Sequence, residues 1–134
     1  MHIQQDQDSI IIRCENSLDY LDISEINTLA FSSPNEAKLV ELIRKSDRYL
    51  SELSLVAERD GKVVGHILYS YIDLVGQETF TVLGLAPLAV HPQFQRQGIG
   101  TALVKSSLEI ANDQQEALVI VLGDPQFYNP PSAP

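Results

Sequence analysis

The chain is poor in several things, and each shortage excludes something. It has one cysteine, Cys14, so no internal disulfide can form and no cysteine-based zinc site can be assembled. A reducing compartment follows, with Cys14 expected to be a small buried apolar residue and not a nucleophile. Cations are scarce: nine Lys and Arg face eighteen Asp and Glu, a net charge of -9. That argues against a nucleic-acid-binding module, because phosphate contacts come from clustered Lys and Arg. The deficit is steepest at the start, where Asp6, Asp8, Glu15, Asp19, Asp22 and Glu25 are opposed only by Arg13. MHIQQDQDS carries neither the basic nor the apolar region of a signal peptide. No uncharged apolar run reaches the length of a membrane span without Pro or Gly interrupting it. Repeats and low-complexity tracts are absent. The expectation is a soluble, cytoplasmic protein of one domain, since 134 residues do not hold two cores of normal size.

What is present is an ordinary globular composition, 44% hydrophobic and 20% charged. Residues 1–9 are polar and expected to be loose. Ile10-Ile11-Ile12 reads as a short strand. Asp19 or Asp22 can cap a helix carrying Ile23, Ile26 and Ala30, and Asp22 with Glu25 has the spacing of a capping box. A second helix is expected from Ser33 as N-cap, Pro34 at the first helical position and Glu36 at the third, followed by Ala37, Val40 and Ile43.

The period then changes to that of strands. Leu53–Glu58 and Val63–Ile72 are rich in Val, Ile and Tyr, and the Asp60-Gly61 pair between them suits a tight hairpin. From Thr79 to Gln95 no Asp, Glu, Lys or Arg occurs, so Phe80–Val90 reads as a central strand buried on both faces. Pro87 falls inside it, where a regular central strand has no place for a residue without an N–H. The strand must be bulged there, or its ladder interrupted. A helix over about Ile99–Ala111, a buried strand over Ala117–Leu122 and a last helix opened by Gly123-Asp124-Pro125 complete the pattern. The order β-α-α-β-β-β-α-β-α describes a mixed α/β domain with a right-handed crossover to a parallel strand.

The chemistry concentrates in Leu88-Ala89-Val90-His91-Pro92-Gln93-Phe94-Gln95-Arg96-Gln97-Gly98-Ile99-Gly100-Thr101, a buried strand, a short loop and two glycines at a helix start. First-turn N–H groups have no partner inside their helix and sit at its positive end, and glycine lets a bulky anion approach the backbone. A Walker loop is excluded because no Lys follows Gly100 and the loop is short. A dinucleotide fingerprint would need a third glycine. The pattern is QxxGxG from Gln95 to Gly100, which on those six residues alone reads equally well as a glycine-rich helix start with no ligand.

The longer string LAVHPQFQRQGIGTALV resembles the signature region of the GNAT superfamily of N-acetyltransferases. LSLVAERDGKVVGHILYS resembles its second and third strands, and ALVIVLGDPQFY its fifth strand and the opening of its last helix. The likeness spans Ile10 to Tyr128, the expected domain being residues 10–128 with a tail over 129–134, and is to small bacterial members. It implies the acyl-CoA N-acyltransferase fold, a mixed central sheet flanked by helices, and acetyl-CoA as the acyl donor.

By the same resemblance, backbone N–H groups of Gln97, Gly98, Ile99, Gly100 and Thr101 would hold the pyrophosphate, framed by Gln95 and Arg96. Leu88, Ala89 and Val90 would line the pantetheine arm, with Leu88 and Val90 pairing to it by backbone, and Pro87 falls where the family's fourth strand bulges. The Leu88 N–H is the expected oxyanion donor, and Tyr128 aligns with the tyrosine that protonates the departing thiolate. A phenol suits that task because its reference pKa of about 10 is close to that of a thiol. Glu58, His66 and His91 are base candidates by residue type, with His66 more readily read as structural.

One departure stands out. The family's Gly-Phe pair and last two strands have no counterpart after Tyr128, where Asn-Pro-Pro-Ser-Ala-Pro follows and two prolines forbid a long helix. Ala117–Leu122 would then be an exposed apolar edge, and a homodimer is expected to cover it. Two alternatives to acetyl transfer onto a small-molecule or protein amine stay open: an acyl-CoA-binding module with weak or no catalysis, and an interaction domain whose glycine loop is structural. No metal is implied.

Overall fold

The computed structural model describes residues 9–114 and 119–121. Five strands form one sheet in the order β1-β2-β3-β4-β5. They are β1 (Ile11–Cys14), β2 (Tyr49–Arg59), β3 (Lys62–Val75), β4 (Thr79–Val90) and β5 (Val119–Val121). The first four pair antiparallel and β5 lies parallel to β4, as the crossover reading requires. The helices are α1 (Tyr20–Phe31), α2 (Asn35–Arg44) and α3 (Ile99–Asp113). The last helix expected near Gln126, together with Tyr128, lies outside the described residues.

Local chemistry sets the turns. Asp60 and Gly61 both adopt positive φ, 54° and 78°, the two-residue hairpin that an Asp-Gly pair favours. The expected start of the second helix moves by one residue: Pro34, not Ser33, is the N-cap of α2 and supplies no side-chain cap, while Ser33 Oγ, one place before it, accepts from the Asn35 N–H at 3.1 Å. The capping box is displaced. Asn16 and Asp19, not Asp22 and Glu25, cap each other's backbone across a 3-10 turn (Ser17–Asp19) that runs into α1. Asp19 wins because its carboxylate also receives Arg13, at 2.8 and 2.9 Å.

Two core layers cover the sheet. On one face α3 packs Ile99, Leu103 and Ala111 against Leu55, Ile67, Tyr69, Leu83 and Leu85. Gly65 permits the close approach: a Cβ there would stand 3.0 Å from Ile99 Cγ2 and 3.1 Å from Leu103 Cδ1. On the other face Ile23 and Ile26 of α1 and Val40 of α2 pack against Val56, Leu68 and Ala89. Two expectations are corrected. Cys14 is exposed, at the end of the edge strand β1. Burial of β4 begins at Val82; Phe80 is 58% exposed, on a hairpin that projects beyond the helices with Leu74 and Val75.

A buried ion cluster ties the second face together. Glu15, whose side chain is fully buried, accepts from Arg44 (2.9 and 3.0 Å), from the Tyr49 hydroxyl (2.6 Å) and from His66 Nε2 (3.2 Å). Asn27 Nδ2 lies 3.4 Å from His66 Nδ1, which places the ring proton on Nε2. Burial alone would raise the Glu15 pKa, but its donors outweigh it and hold the carboxyl down at about 2. Burial pushes the His66 pKa below its ordinary value.

Both shifts have one sign. The unfolded chain binds more protons than the native state below pH 6.5 through His66, and below pH 4.5 through Glu15. Stability present at neutral pH is therefore lost on acidification, with about 3 kcal/mol of it disappearing as pH falls from 4.5 towards 2. Urea unfolding against pH should show this decline, and Tyr49→Phe, which removes one donor, should move its lower limb to higher pH. An identical profile in the variant would show that Glu15 is not the titrating group.

Candidate active site

The site is organised by an irregularity in β4. Ile67 pairs with Leu88 but Tyr69 with Leu85, so two residues of β3 advance while three of β4 do. The extra residue lies at Ala86–Pro87, the bulge that Pro87 demanded. Because strand side chains alternate, one inserted residue reverses the faces beyond it. Leu83, Leu85, Leu88 and Val90 accordingly all join the α3-side core, while Ala89 is buried on the opposite face.

The bulge also aims the backbone. The His91 N–H donates to Val64 O at 2.9 Å, and the register continues as Val90↔Gly65, Ala89↔His66 and Leu88↔Ile67. In an antiparallel ladder the bonded pairs alternate, so Ala89 is bonded to β3 while Leu88 and Val90 turn their N–H groups outward. β5 does not meet them, since its described pairs are with Leu83, Gly84 and Leu85. Two outward N–H groups therefore lie past the bulge, beyond the paired segment of β5. The Val90 carbonyl on the same edge accepts from Gln95 Nε2 at 3.1 Å.

The loop from His91 to Gly98 is held on three sides. His91 Nδ1 accepts from the Gln93 N–H at 3.1 Å, and its ring meets Phe94 edge-on with centroids 5.7 Å apart. Gln95 anchors the loop to β4, and Arg59 of β2 donates to the side-chain oxygen of Gln97. Arg96 and Gly98 take positive φ, 66° and 85°. Gly98 is the N-cap of α3 and supplies no side-chain cap, leaving the first-turn donors of a fifteen-residue helix open.

Gly98 and Gly100 have space around them. A Cβ at Gly98 would touch nothing within 4 Å, and one at Gly100 would meet only Val90 Cγ2 at 3.8 Å. The fold's own packing does not call for glycine at 100. A bare, unblocked backbone at the positive end of a helix suits a pyrophosphate. A groove of about 600 Å³ runs from there, lined by Gly100, Thr101, Val104, Lys105, Leu108 and Leu88. It joins the helix start to the outward edge of β4, so the residues fit a ligand with an anionic end and an extended, weakly polar arm.

Of the expected contacts, Leu88, Gly100 and Thr101 line one groove, and Gln95, Arg96, Gln97 and Gly98 lie in the loop that leads into the start of α3. Ala89 and Ile99 are core residues at 2% and 1% exposure; their side chains face away, and Ala89 spends its backbone on β3. The base candidates are all engaged outside it. Glu58 accepts from Arg13 at 2.9 Å, His66 is bound to Glu15, and His91 shapes the loop. Sequence reading missed Arg59 and Lys105. Lys105 was findable as the cation one helical turn beyond Thr101; Arg59 carried no signal, because only the hairpin brings it to the loop. Among the described residues no cluster of His, Cys, Asp and Glu suits a metal ion, and no helix is long and apolar enough to cross a membrane.

The sequence matches the Acetyltransferase (GNAT) family over residues 20–133. It is 38% identical over 121 residues to YhbS, an N-acetyltransferase of Escherichia coli K12, covering 90% of this chain and 71% of that one. Against YjhQ of the same organism the figures are 36% over 111 residues, 82% and 61%. Two solved structures share the fold at a TM-score of 0.77. One is a GNAT acetyltransferase from Brucella melitensis in complex with acetyl-CoA, 31% identical, covering 87% of this chain and 77% of that one. The other is E. coli YhbS in complex with CoA, 35% identical, covering 89% and 65%.

Gly100→Ala should separate folding from binding at this site. Alanine is the better helix former by up to about 1 kcal/mol and has room for its methyl group, so the melting temperature should hold or rise. Affinity for a coenzyme A ligand, read by calorimetry, should drop at least about tenfold (about 1.4 kcal/mol). Unaltered affinity would show that nothing approaches the backbone there.

Proposed function

This chain belongs to the acetyltransferase (GNAT) family, and on that footing we propose that it moves an acetyl group from acetyl-CoA to a primary amine by direct attack. The observation that carries the reading is the meeting, in one groove, of an uncapped glycine-opened helix start and the outward backbone edge of β4 beyond the bulge. Coenzyme A has the matching parts, a pyrophosphate followed by an extended pantetheine arm that can pair with a strand edge.

Each residue has a stated task. Gln97, Gly98, Ile99, Gly100 and Thr101 offer backbone N–H groups to the pyrophosphate, with Gln95 fixing the loop to β4 and Arg96 beside it in the same loop. Leu88 and Val90 hold the arm by backbone, and the Leu88 N–H faces the thioester carbonyl, where negative charge develops as nitrogen attacks. The amine nitrogen forms the new C–N bond, the C–S bond breaks with its electron pair going to sulfur, nitrogen gives up a proton, and sulfur takes one. Amine plus thioester thus becomes amide plus thiol. Tyr128 is the proposed donor of the proton to sulfur, carried over from the family resemblance.

A thermal shift with acetyl-CoA, controlled by ATP and NADH, tests the binding half. Ligand at 100-fold its dissociation constant stabilises a fold by about 2.7 kcal/mol. For a domain of this size the midpoint should rise by roughly 10 °C. No shift in a cooperatively folded sample would remove the proposal. The catalytic half is tested by turnover of simple amines: Tyr128→Phe should lower kcat at least about tenfold (about 1.4 kcal/mol in barrier) with little change in KM for acetyl-CoA. Binding without turnover of any amine would favour an acyl-CoA-binding module instead.

A further inference from the structure

A second groove, of about 360 Å³, lies on the other face of the sheet between α2 and the β3–β4 pair. Leu39, Leu42 and Ile43 of α2 form one wall, Ile72 of β3 the other, and Gly84 of β4 lies in the floor. From this groove we infer the class of acceptor: a primary amine carried on an aliphatic or aromatic body, in preference to a polyamine or an aminosugar. The inference rests on the acetyl-transfer reading above and adds to it the identity of the second substrate.

Position comes first. Gly84 and Leu88 lie on the same strand on either side of the Ala86–Pro87 bulge, so the groove and the Leu88 edge flank the bulge on opposite faces of the sheet. An arm laid along the α3-side groove fills that face, and an attacking nitrogen must come from the other. At about 3.3 Å per residue, four residues of strand separate Gly84 from Leu88 by at most about 13 Å. A short hydrocarbon body seated at Gly84 spans much of that distance.

Charge decides the class. Among the described residues no Asp or Glu lines the groove, and the single ionised residue in its lining is the cation Arg48. Arg48 is spent on Asp73, at 3.0 and 3.1 Å, and Thr81 donates to the same carboxylate at 3.0 Å. A polyamine or aminosugar carries several ammonium groups, and this lining offers them no counter-ion. An apolar body loses nothing by entering.

The wall is firmly placed, because Arg44, next to Ile43, is the residue that Glu15 clamps.

The test compares 2-phenylethylamine with spermidine as acceptors, in the native protein and in Leu42→Glu. Leu42 is 66% exposed, so the substitution leaves the core alone while placing a carboxylate in the wall. The native protein should prefer 2-phenylethylamine by at least tenfold in kcat/KM. Leu42→Glu should cut that value at least tenfold with the acetyl-CoA thermal shift unchanged. A preference for spermidine, or a variant without effect, overturns the inference while leaving acetyl transfer standing. Should acetyl-CoA produce no shift at all, the transfer reading fails by itself. Methyl NMR then decides the groove: shifts at Leu39, Leu42 and Ile43 on titrating 2-phenylethylamine uphold it as an amine site, and undisturbed methyls dispose of it.

Discussion

The molecule depends on one constraint, a proline in the middle of its central strand. Pro87 has no N–H to give, so β4 cannot continue the ladder that it runs up to Leu85. One extra residue absorbs the misfit and reverses the faces beyond it, which is why Leu85 and Leu88 reach the same core although three residues apart. The bulge divides β4 into a part that pairs with β5 and a part whose Leu88 and Val90 N–H groups turn outward. It also stands between the two grooves. A regular strand would fill both edges with hydrogen bonds and leave no place for an extended ligand.

Around that defect the rest of the domain is rigid in two ways. On the α3 face the hold is shape: Gly65 lets Ile99 and Leu103 descend onto β3, which fixes the axis and the start of α3. On the other face it is charge. Glu15 gathers Arg44 from α2, Tyr49 from β2 and His66 from β3 into one buried cluster, and α2 cannot shift without unpairing it. A buried cluster of this kind gives geometric specificity at the cost of sensitivity to acid.

Legibility followed the range of the interactions. The Asp60-Gly61 hairpin and the QRQGIG helix start are local, set by residues within a turn of one another, and could be read directly. Pro87 announced a bulge because the physics of a missing N–H is local too. The capping box was misplaced for the opposite reason: Asp22 and Glu25 have the right spacing, but Asp19 also receives Arg13 from a neighbouring strand. Cys14 looked like a core residue because nothing in its neighbours shows that β1 is an edge. Lys105 could have been found by counting one turn from Thr101, whereas Arg59 reaches the Gln97 loop only through the hairpin.

The sequence by itself therefore determined the order of the described elements, the bulge and the chemistry of the helix start, all of which rest on backbone geometry within a few residues. Only the tertiary structure decided which face each residue serves. Alternation along β4 reverses at the bulge, and no count of residues shows on which side of the sheet a helix packs. That is why His66 and Glu58, candidates by type, are held by Glu15 and Arg13, and why an apolar groove under α2 emerged from residues such as Leu39, Leu42 and Gly84 that the sequence did not single out. Side-chain chemistry is written in the chain, but what a side chain meets is fixed by the packing of segments far apart in it.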